Sequence, residues 1–559
     1  MNNNASEPVN FAVDQRARME ILFAILLGLF LSALDQTIVG TALPRIVTDL
    51  RGNELYTWVV TIYLLTATIT GPMYGKLSDQ FGRKRLLMLG ITLFLAGSFL
   101  SGLSQEMWQL ILFRGIQGLG AGALFPIALA VIGDLFTPAE RGKYQGLFGA
   151  VFGVSALIGP ALGGFLTDQV SWHWVFFVNL PIGAVSLFII WRLLPAHQRN
   201  EVTRRVDYLG AFVFTLALVP ILIGLTNKRT LEWTDPWVGG LILLGLAVGA
   251  VFLWVERRAA EPIVPLGLFR NRTYTISMVA AFLASFGFFG AILYLPLWYQ
   301  VVNGSSATES GYQLLPLLAG VILSSILSGQ LVSRTGRYKW LTVGALVTLA
   351  LGLWLMSNLT ATTPAPVLWT WQFVAGLGIG PTLAIFTIVV QNAVPWQQLG
   401  VATSNLTFFR QVGGSVGLAI AGTIFGSTLR TEAPQQVAAS AQAAGMPAPA
   451  VAQLQSAFSG SGPLDNLAAV GDLGARILAG LPDQARPLVE PYIGAIVGGV
   501  HQAISLSVAN TMWLGLGAAV VAAGFTLALR EMPLRATHRA ESAVPRRVPA
   551  EVPVEVIAD

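Results

Sequence analysis

Gly75-Lys-Leu-Ser-Asp-Gln-Phe-Gly-Arg-Lys-Arg85 returns 254 residues later as Gly329-Gln-Leu-Val-Ser-Arg-Thr-Gly-Arg-Tyr-Lys339. Each copy follows an apolar run long enough to cross a bilayer core, which takes about 20 residues. A second echo links Gly118-Leu-Gly120-Ala-Gly122 with Gly376-Leu-Gly378-Ile-Gly380. Loop and helix signatures repeated at nearly one distance describe two copies of one multi-helix unit. Such repeats place a binding site where the two halves meet.

Working outward from these loops, apolar runs recur from end to end and give fourteen spans. The expected fold class is an all-α integral membrane protein with two six-helix halves plus two inserted helices. Residues 1–20 form a cytoplasmic N-terminal segment, 21–194 the N-terminal half, 208–255 the inserted helices and 274–529 the C-terminal half. Within the last, 430–498 reads as a long outer loop, with parts such as 463–481 as short amphipathic helices. Loops of this length are functional or disordered. Residues 530–559 read as a disordered cytoplasmic tail, proline-rich and basic. Composition agrees: the chain is 54% hydrophobic and 11% charged, with mean hydropathy +0.66. Soluble domains carry about a quarter charged residues.

An even number of spans puts both termini on one side. With the N-terminus inside, 24 of the 33 Lys and Arg residues are cytoplasmic and 7 are outside, while Arg114 and Arg410 lie within spans. The positive-inside rule then gives N-in, C-in topology, and the expected location is a bacterial cell membrane. The chain has no cysteine, which excludes disulfides, thiol catalysis and cysteine metal sites. There is no Walker A motif for ATP. The four histidines are scattered, and no catalytic triad is apparent. The expectation is a non-enzyme without cofactor or metal, without a nucleic-acid partner, and working as a monomer.

Asp35 lies about fifteen residues into the first apolar run. An acid at that depth is costly and is a functional candidate by default. Desolvation and a nearby cation act on it in opposite directions, so a balanced carboxyl can take a proton from one side and release it to the other. Arg114, in the fourth span, is the natural partner because a guanidinium stays charged. Gln36 follows Asp35, and Gln117 lies one turn beyond Arg114. Tyr63, Phe125, Tyr294, Trp298, Tyr299 and Phe408 are candidates to line an aromatic cavity. Arg410 is expected near a cytoplasmic helix end.

These motifs resemble the major facilitator superfamily, and within it the fourteen-helix drug:proton antiporter family. Gly75–Arg85 is similar to its loop between helices 2 and 3. Leu34-Asp-Gln-Thr-Ile-Val39 with Ala42-Leu-Pro44 resembles the helix-1 motif, and Arg114-Gly-Ile-Gln-Gly-Leu-Gly120 the helix-4 motif. Gly159, Pro160, Gly163 and Gly164 resemble the helix-5 antiporter motif, with Ser155 where glycine is common. Trp172-His-Trp-Val-Phe-Phe-Val-Asn-Leu-Pro-Ile-Gly183 resembles the helix-6 entry, with His173 where arginine is usual. The resemblance implies a major facilitator fold and proton-driven antiport, with Asp35 and Arg114 carrying the coupling. It implies that Gly75, Asp79, Gly82, Arg83 and Lys84 form a gate. Asp79 would meet the N-terminus of helix 13 near Gly400. Gly329 and Arg337 would form a weaker second gate, because Ser333 replaces the acid.

The resulting expectation is multidrug efflux. The C-terminal half has no deep acid, which points to lipophilic or monovalent cationic substrates. A lipid or glycolipid exporter of the same fold is the alternative, with 430–498 guiding lipid or binding an envelope partner. A membrane receptor or scaffold on a degenerate fold is the third reading.

Overall fold

The computed structural model describes residues 14–50, 55–136, 138–195, 207–228, 231–459, 473–480 and 486–533, and these are helical without strands. Residues 1–13, 463–472 and 534–559, which carry parts of the expected terminal segments and outer loop, lie outside the described residues.

The N-terminal half comprises α1 (Gln15–Asp49), α2 (Tyr56–Phe81), α3 (Arg83–Ser101), α4 (Met107–Leu135) and α5 (Pro138–Gln169). Its sixth span is broken at Val178 into α6 (Trp174–Phe177) and α7 (Asn179–Leu193). The inserted pair is α8 (Tyr208–Asn227) and α9 (Leu241–Glu256). The C-terminal half runs α10 (Arg272–Val301), α11 (Ala307–Tyr312), α12 (Leu315–Thr335), α13 (Lys339–Met356), α14 (Ala365–Ala393) and α15 (Leu399–Ala443). It closes through α16 (Ala448–Ser459), α17 (Leu473–Gly480), α18 (Arg486–Val489) and α19 (Ile493–Leu527). Among the described residues, thirteen helices are long and apolar enough to cross a membrane. The 26-residue α2 falls outside that count. Its interior threonines, Thr61, Thr66, Thr68 and Thr70, lower its hydropathy.

The glycine echo has the same structural meaning in both halves. Gly118 and Gly122 of α4 press on α2, with an added Cβ on Gly122 meeting Ala67 O at 2.6 Å. Gly120, between them, presses on Gly90 and Phe94 of α3. In the other half Gly376 and Gly380 of α14 press on α12, and Gly378 presses on Leu349 of α13. Small residues at this spacing let backbones touch, which is how helices associate without a hydrophobic driving force between them.

Two tertiary features depart from the sequence reading. The expected loop 430–498 is largely helix in its described part. α15 runs on to Ala443 without a break, and Gly445 (φ +86°) ends the turn after it. Its extension is polar but alanine-rich, so hydropathy falls while helix propensity does not. Leu429, Ala433, Val437 and Ala441 form a stripe that shares a core with Leu454, Phe458, Ile496 and Val500. The second feature is the seat of the inserted pair. Phe214, Leu218, Leu222 and Phe252 pack with Leu65 and Ile69 of α2 and with Phe408 of α15. α8 therefore touches both halves, and α9 packs on α8. Near the other end of α8, Trp233 donates to the Thr423 hydroxyl at 3.0 Å, and Arg430 pairs with Glu232 at 3.3 Å.

Candidate functional site

Asp35 is 0% exposed, and three side chains from two helices, α4 and α7, donate to its carboxylate. Arg114 Nη1 reaches Oδ2 at 2.5 Å. Gln117 Nε2 reaches Oδ1 at 2.8 Å, and Asn179 Nδ2 reaches the same oxygen at 3.3 Å. Arg114 also donates to Gln117 Oε1 at 2.7 Å and to the Val59 carbonyl at 3.5 Å. Its guanidinium lies 4.2 Å from the Tyr63 ring centroid, and the Tyr63 hydroxyl meets Ser32 Oγ at 3.1 Å. The sequence brings Arg114 and Gln117 together because they are three apart on one helix face. The result is a desolvated but closely compensated ion pair, the arrangement in which losing one partner strands the other.

Asn179 was not singled out by residue type. It begins α7 directly after the break at Val178. A second bond, 3.0 Å to Ser98 Oγ, holds its amide, and that hydroxyl in turn donates to Phe176 O at 2.8 Å. The available signal was the Trp172–Gly183 motif, whose asparagine had no assigned role.

The antiporter-motif residues line the α1–α5 contact. A Cβ on Gly159 would lie 2.6 Å from Thr37 Cβ, and one on Gly163 would lie 2.9 Å from Ile38 O. Gly164 faces open space, so it does not share that close approach. Pro160 is inside the helix, and Thr37 Oγ1 donates to Ser155 O at 3.0 Å. α5 also reaches the other half, where Gly153 faces Ile322 and Leu318 of α12.

The loop motif sits where α2 meets α15. Asp79, 4% exposed, accepts from the backbone N–H of Gly400 at 3.1 Å and of Val401 at 2.9 Å. These are among the free donors at a helix start, where the helix dipole favours an anion. Arg83 pairs with Asp79 at 2.5 Å and with Asp134 at 3.0 Å, and it donates to Ser78 Oγ at 2.6 Å. Lys84 donates to Trp191 O at 2.5 Å. Gly75 is required by closeness, since its Cβ would fall 2.8 Å from Gly400 O. Gly82 is required by its backbone, at φ +95°. Asp134 and the Lys76–Glu261 pair at 2.5 Å were not anticipated. In the second copy Gly336 repeats the positive φ at +68°, and Gly329 is buried within α12. Arg337 is exposed and its N–H bonds Thr335 Oγ1, so it makes no contact like that of Arg83.

The expected aromatic cavity is not assembled as one wall. Trp298 and Tyr299 are core side chains of the C-terminal half. Trp298 Nε1 donates to Ser505 Oγ at 2.8 Å, and the Tyr299 hydroxyl accepts from Gln372 at 2.9 Å. Both are buried and hydrogen-bonded inside their own bundle. Phe408 is covered by Phe214 of the inserted pair, at 5.5 Å between centroids. Tyr294 stacks on Phe425 at 5.1 Å. Phe125 stays half-buried among Phe148 and Phe152, and Gln36 is exposed beside Asp35. Arg410 does not lie at a helix end. It is buried in α15, where Nη2 donates to the Thr382 and Leu383 carbonyls, both at 3.0 Å.

The two halves are chemically unequal at matched positions. The offset that aligns the glycine echo places Gln372 opposite Arg114. The ion pair of one half therefore corresponds to a neutral glutamine–tyrosine bond in the other.

Two helical repeats meeting through a charged contact, with a buried ion pair in one of them, define a membrane transporter of the two-half type. The Major Facilitator Superfamily family model matches residues 25–418, and the chain belongs to that family. Relatives include the multidrug transporter protein MdtP of Bacillus subtilis, 39% identical over 411 residues, covering 73% of this chain and 76% of that one. Multidrug resistance protein 3 of the same organism is 37% identical over 405 residues, covering 72% and 79%. The efflux pump dotC of Dothistroma septosporum is 31% identical over 481 residues, covering 85% and 79%. Among solved structures, the proton:xylose symporter XylE aligns with TM-score 0.56 at 15% identity, covering 92% of this chain and 96% of that one, a likeness of fold.

Proposed function

We propose that this chain exports lipophilic, amphiphilic compounds across the cell membrane in exchange for protons, with both termini in the cytoplasm. The observation that carries the reading is the buried Asp35 carboxylate held by Arg114, Gln117 and Asn179. Names of the relatives supply the exporter part of the reading.

In this scheme the ionised carboxylate is paired with Arg114. Protonation removes that charge, weakens three donated bonds and frees the guanidinium, which stays over the Tyr63 ring. Asn179 Oδ1, buried without a partner, becomes an acceptor for the new carboxyl hydrogen after a half-turn of its amide. The change is passed to α5 through the Thr37–Ser155 and Gly159–Thr37 contacts. α5 packs on α12, so it is placed to bias how the halves rock. Asp79 on the α15 N-terminus holds one end shut until that bias overcomes it. Substrate enters the opposite half of the cycle, when Asp35 has released its proton.

The test is Asp35→Asn in inverted vesicles, following rhodamine dye uptake against an imposed pH gradient. Loss of gradient-driven uptake is expected. Wild-type uptake with unchanged gradient dependence would reject the proton role.

A further inference from the structure

Among the described residues, the charged side chains deep in the bundle do not balance. Asp35 and Arg114 cancel as a pair. Arg410 is 9% exposed, and no carboxylate among the described residues forms an ion pair with it. It lies ten residues past Gly400, or roughly 15 Å along α15 from the gate. A buried cation without an anion is costly, and such residues inside a membrane bundle mark substrate paths.

The direction of Arg410 is set by its neighbours along α15. Gly400 and Ser404 face α2, where Ser404 stands against Gly75. Thr403 faces α14, since its hydroxyl accepts from Gln391. Arg410, seven residues past Thr403, falls on that same α14-facing side of the helix. One nitrogen, Nη2, makes both bonds to Thr382 and Leu383. Nη1 and Nε make no hydrogen bond among the described residues. Apolar surface adjoins the site: Phe409 is half-buried one residue away, and the Phe289 ring lies against Gly414 one turn on.

We infer that Arg410 is a substrate-binding residue that takes the carboxylate of an amphiphilic aromatic acid, whose apolar body lies along these phenylalanines. The inference rests on the exporter reading and deepens it. A guanidinium N–H that is not held by the protein can donate to a carboxylate in a charge-assisted hydrogen bond. It also revises the expectation of a cationic substrate. That expectation followed from the missing second acid and did not weigh an unpaired cation. A structural clamp between α14 and α15 is the competing role.

The experiment compares rhodamine B, which carries a free carboxylate, with its methyl ester, which lacks it. Uptake of each into inverted vesicles is measured for the wild type, R410Q and R410K. Wild type is expected to favour the acid in KM by about tenfold, as a charge-assisted bond implies. R410Q should abolish that preference by raising KM for the acid, while KM for the ester stays within about twofold. R410K keeps the charge and should keep most of the preference. Equal losses for both dyes in R410Q, or a wild type that prefers the ester, overturns the inference while leaving the exporter reading intact. Failure of the wild type to move either dye overturns both.

Discussion

Asp79→Asn isolates the gate contact. The carboxylate holds two α15 N–H groups and one Arg83 nitrogen, all within 3.1 Å. Asparagine keeps one acceptor oxygen, so one charge-assisted bond is lost together with the anion at the helix start. A hydrogen bond to a charged group is worth about 1.5–3 kcal/mol, and the helix-end charge adds about 0.5–1 kcal/mol. Arg83 retains Asp134, which limits the cost of its broken pair. The closed end should therefore weaken by about 2–3 kcal/mol, a shift of roughly 30- to 150-fold in its opening equilibrium. The chain contains no cysteine, so a single reporter thiol is unambiguous. Ser404 is fully buried against Gly75, and Ser404→Cys should react slowly with a maleimide in membranes. Adding Asp79→Asn should raise that rate by one to two orders of magnitude, toward the equilibrium shift above. An unchanged rate would mean that Asp79 does not hold the halves together, and the electrostatic argument would fail.

Other outcomes follow from single contacts. Gly163→Val places its Cβ 2.9 Å from Ile38 O, so α1 and α5 must separate; coupled dye transport should fall more than about tenfold while the protein still reaches the membrane. Trp298→Phe removes the donor to Ser505 Oγ in the C-terminal core, leaving that hydroxyl only its own bond to His501 O, and trims buried ring volume. Thermal unfolding should show a loss of about 1–3 kcal/mol, with unchanged relative rates for different dyes, whereas altered dye preference would restore Trp298 to the cavity. Arg430→Ala removes an exposed pair with Glu232 and should change stability by less than about 1 kcal/mol; a larger loss in a melting curve would show that the pair anchors the inserted helices to α15.

Much of the α2–α15 contact could be read in the chain. Gly75, Asp79, Gly82 and Arg83 are adjacent in sequence, and their demands are local: a close approach, a helix-end charge and a turn at positive φ. The partner Asp134 could not be found this way, because α4 brings it to Arg83 from 51 residues away. Asp35 and Arg114 stood out because charge in an apolar run is rare. Asn179 and Ser98 did not, since neutral polar residues are common in spans and acquire a role through their neighbours.

Apolar run lengths and the repeated loop thus determined two halves, an inserted pair and the candidate ion pair. These depend on composition and periodicity, which a chain carries without being folded. Only the tertiary structure decided that Trp298 and Tyr299 belong to one half's core, that α8 covers Phe408, and that α15 continues as helix beyond its apolar part. It also decided that Arg410 is buried without an ion pair among the described residues. Hydropathy reports how willingly a residue leaves water; the partners it then meets are set by helix packing between segments hundreds of residues apart.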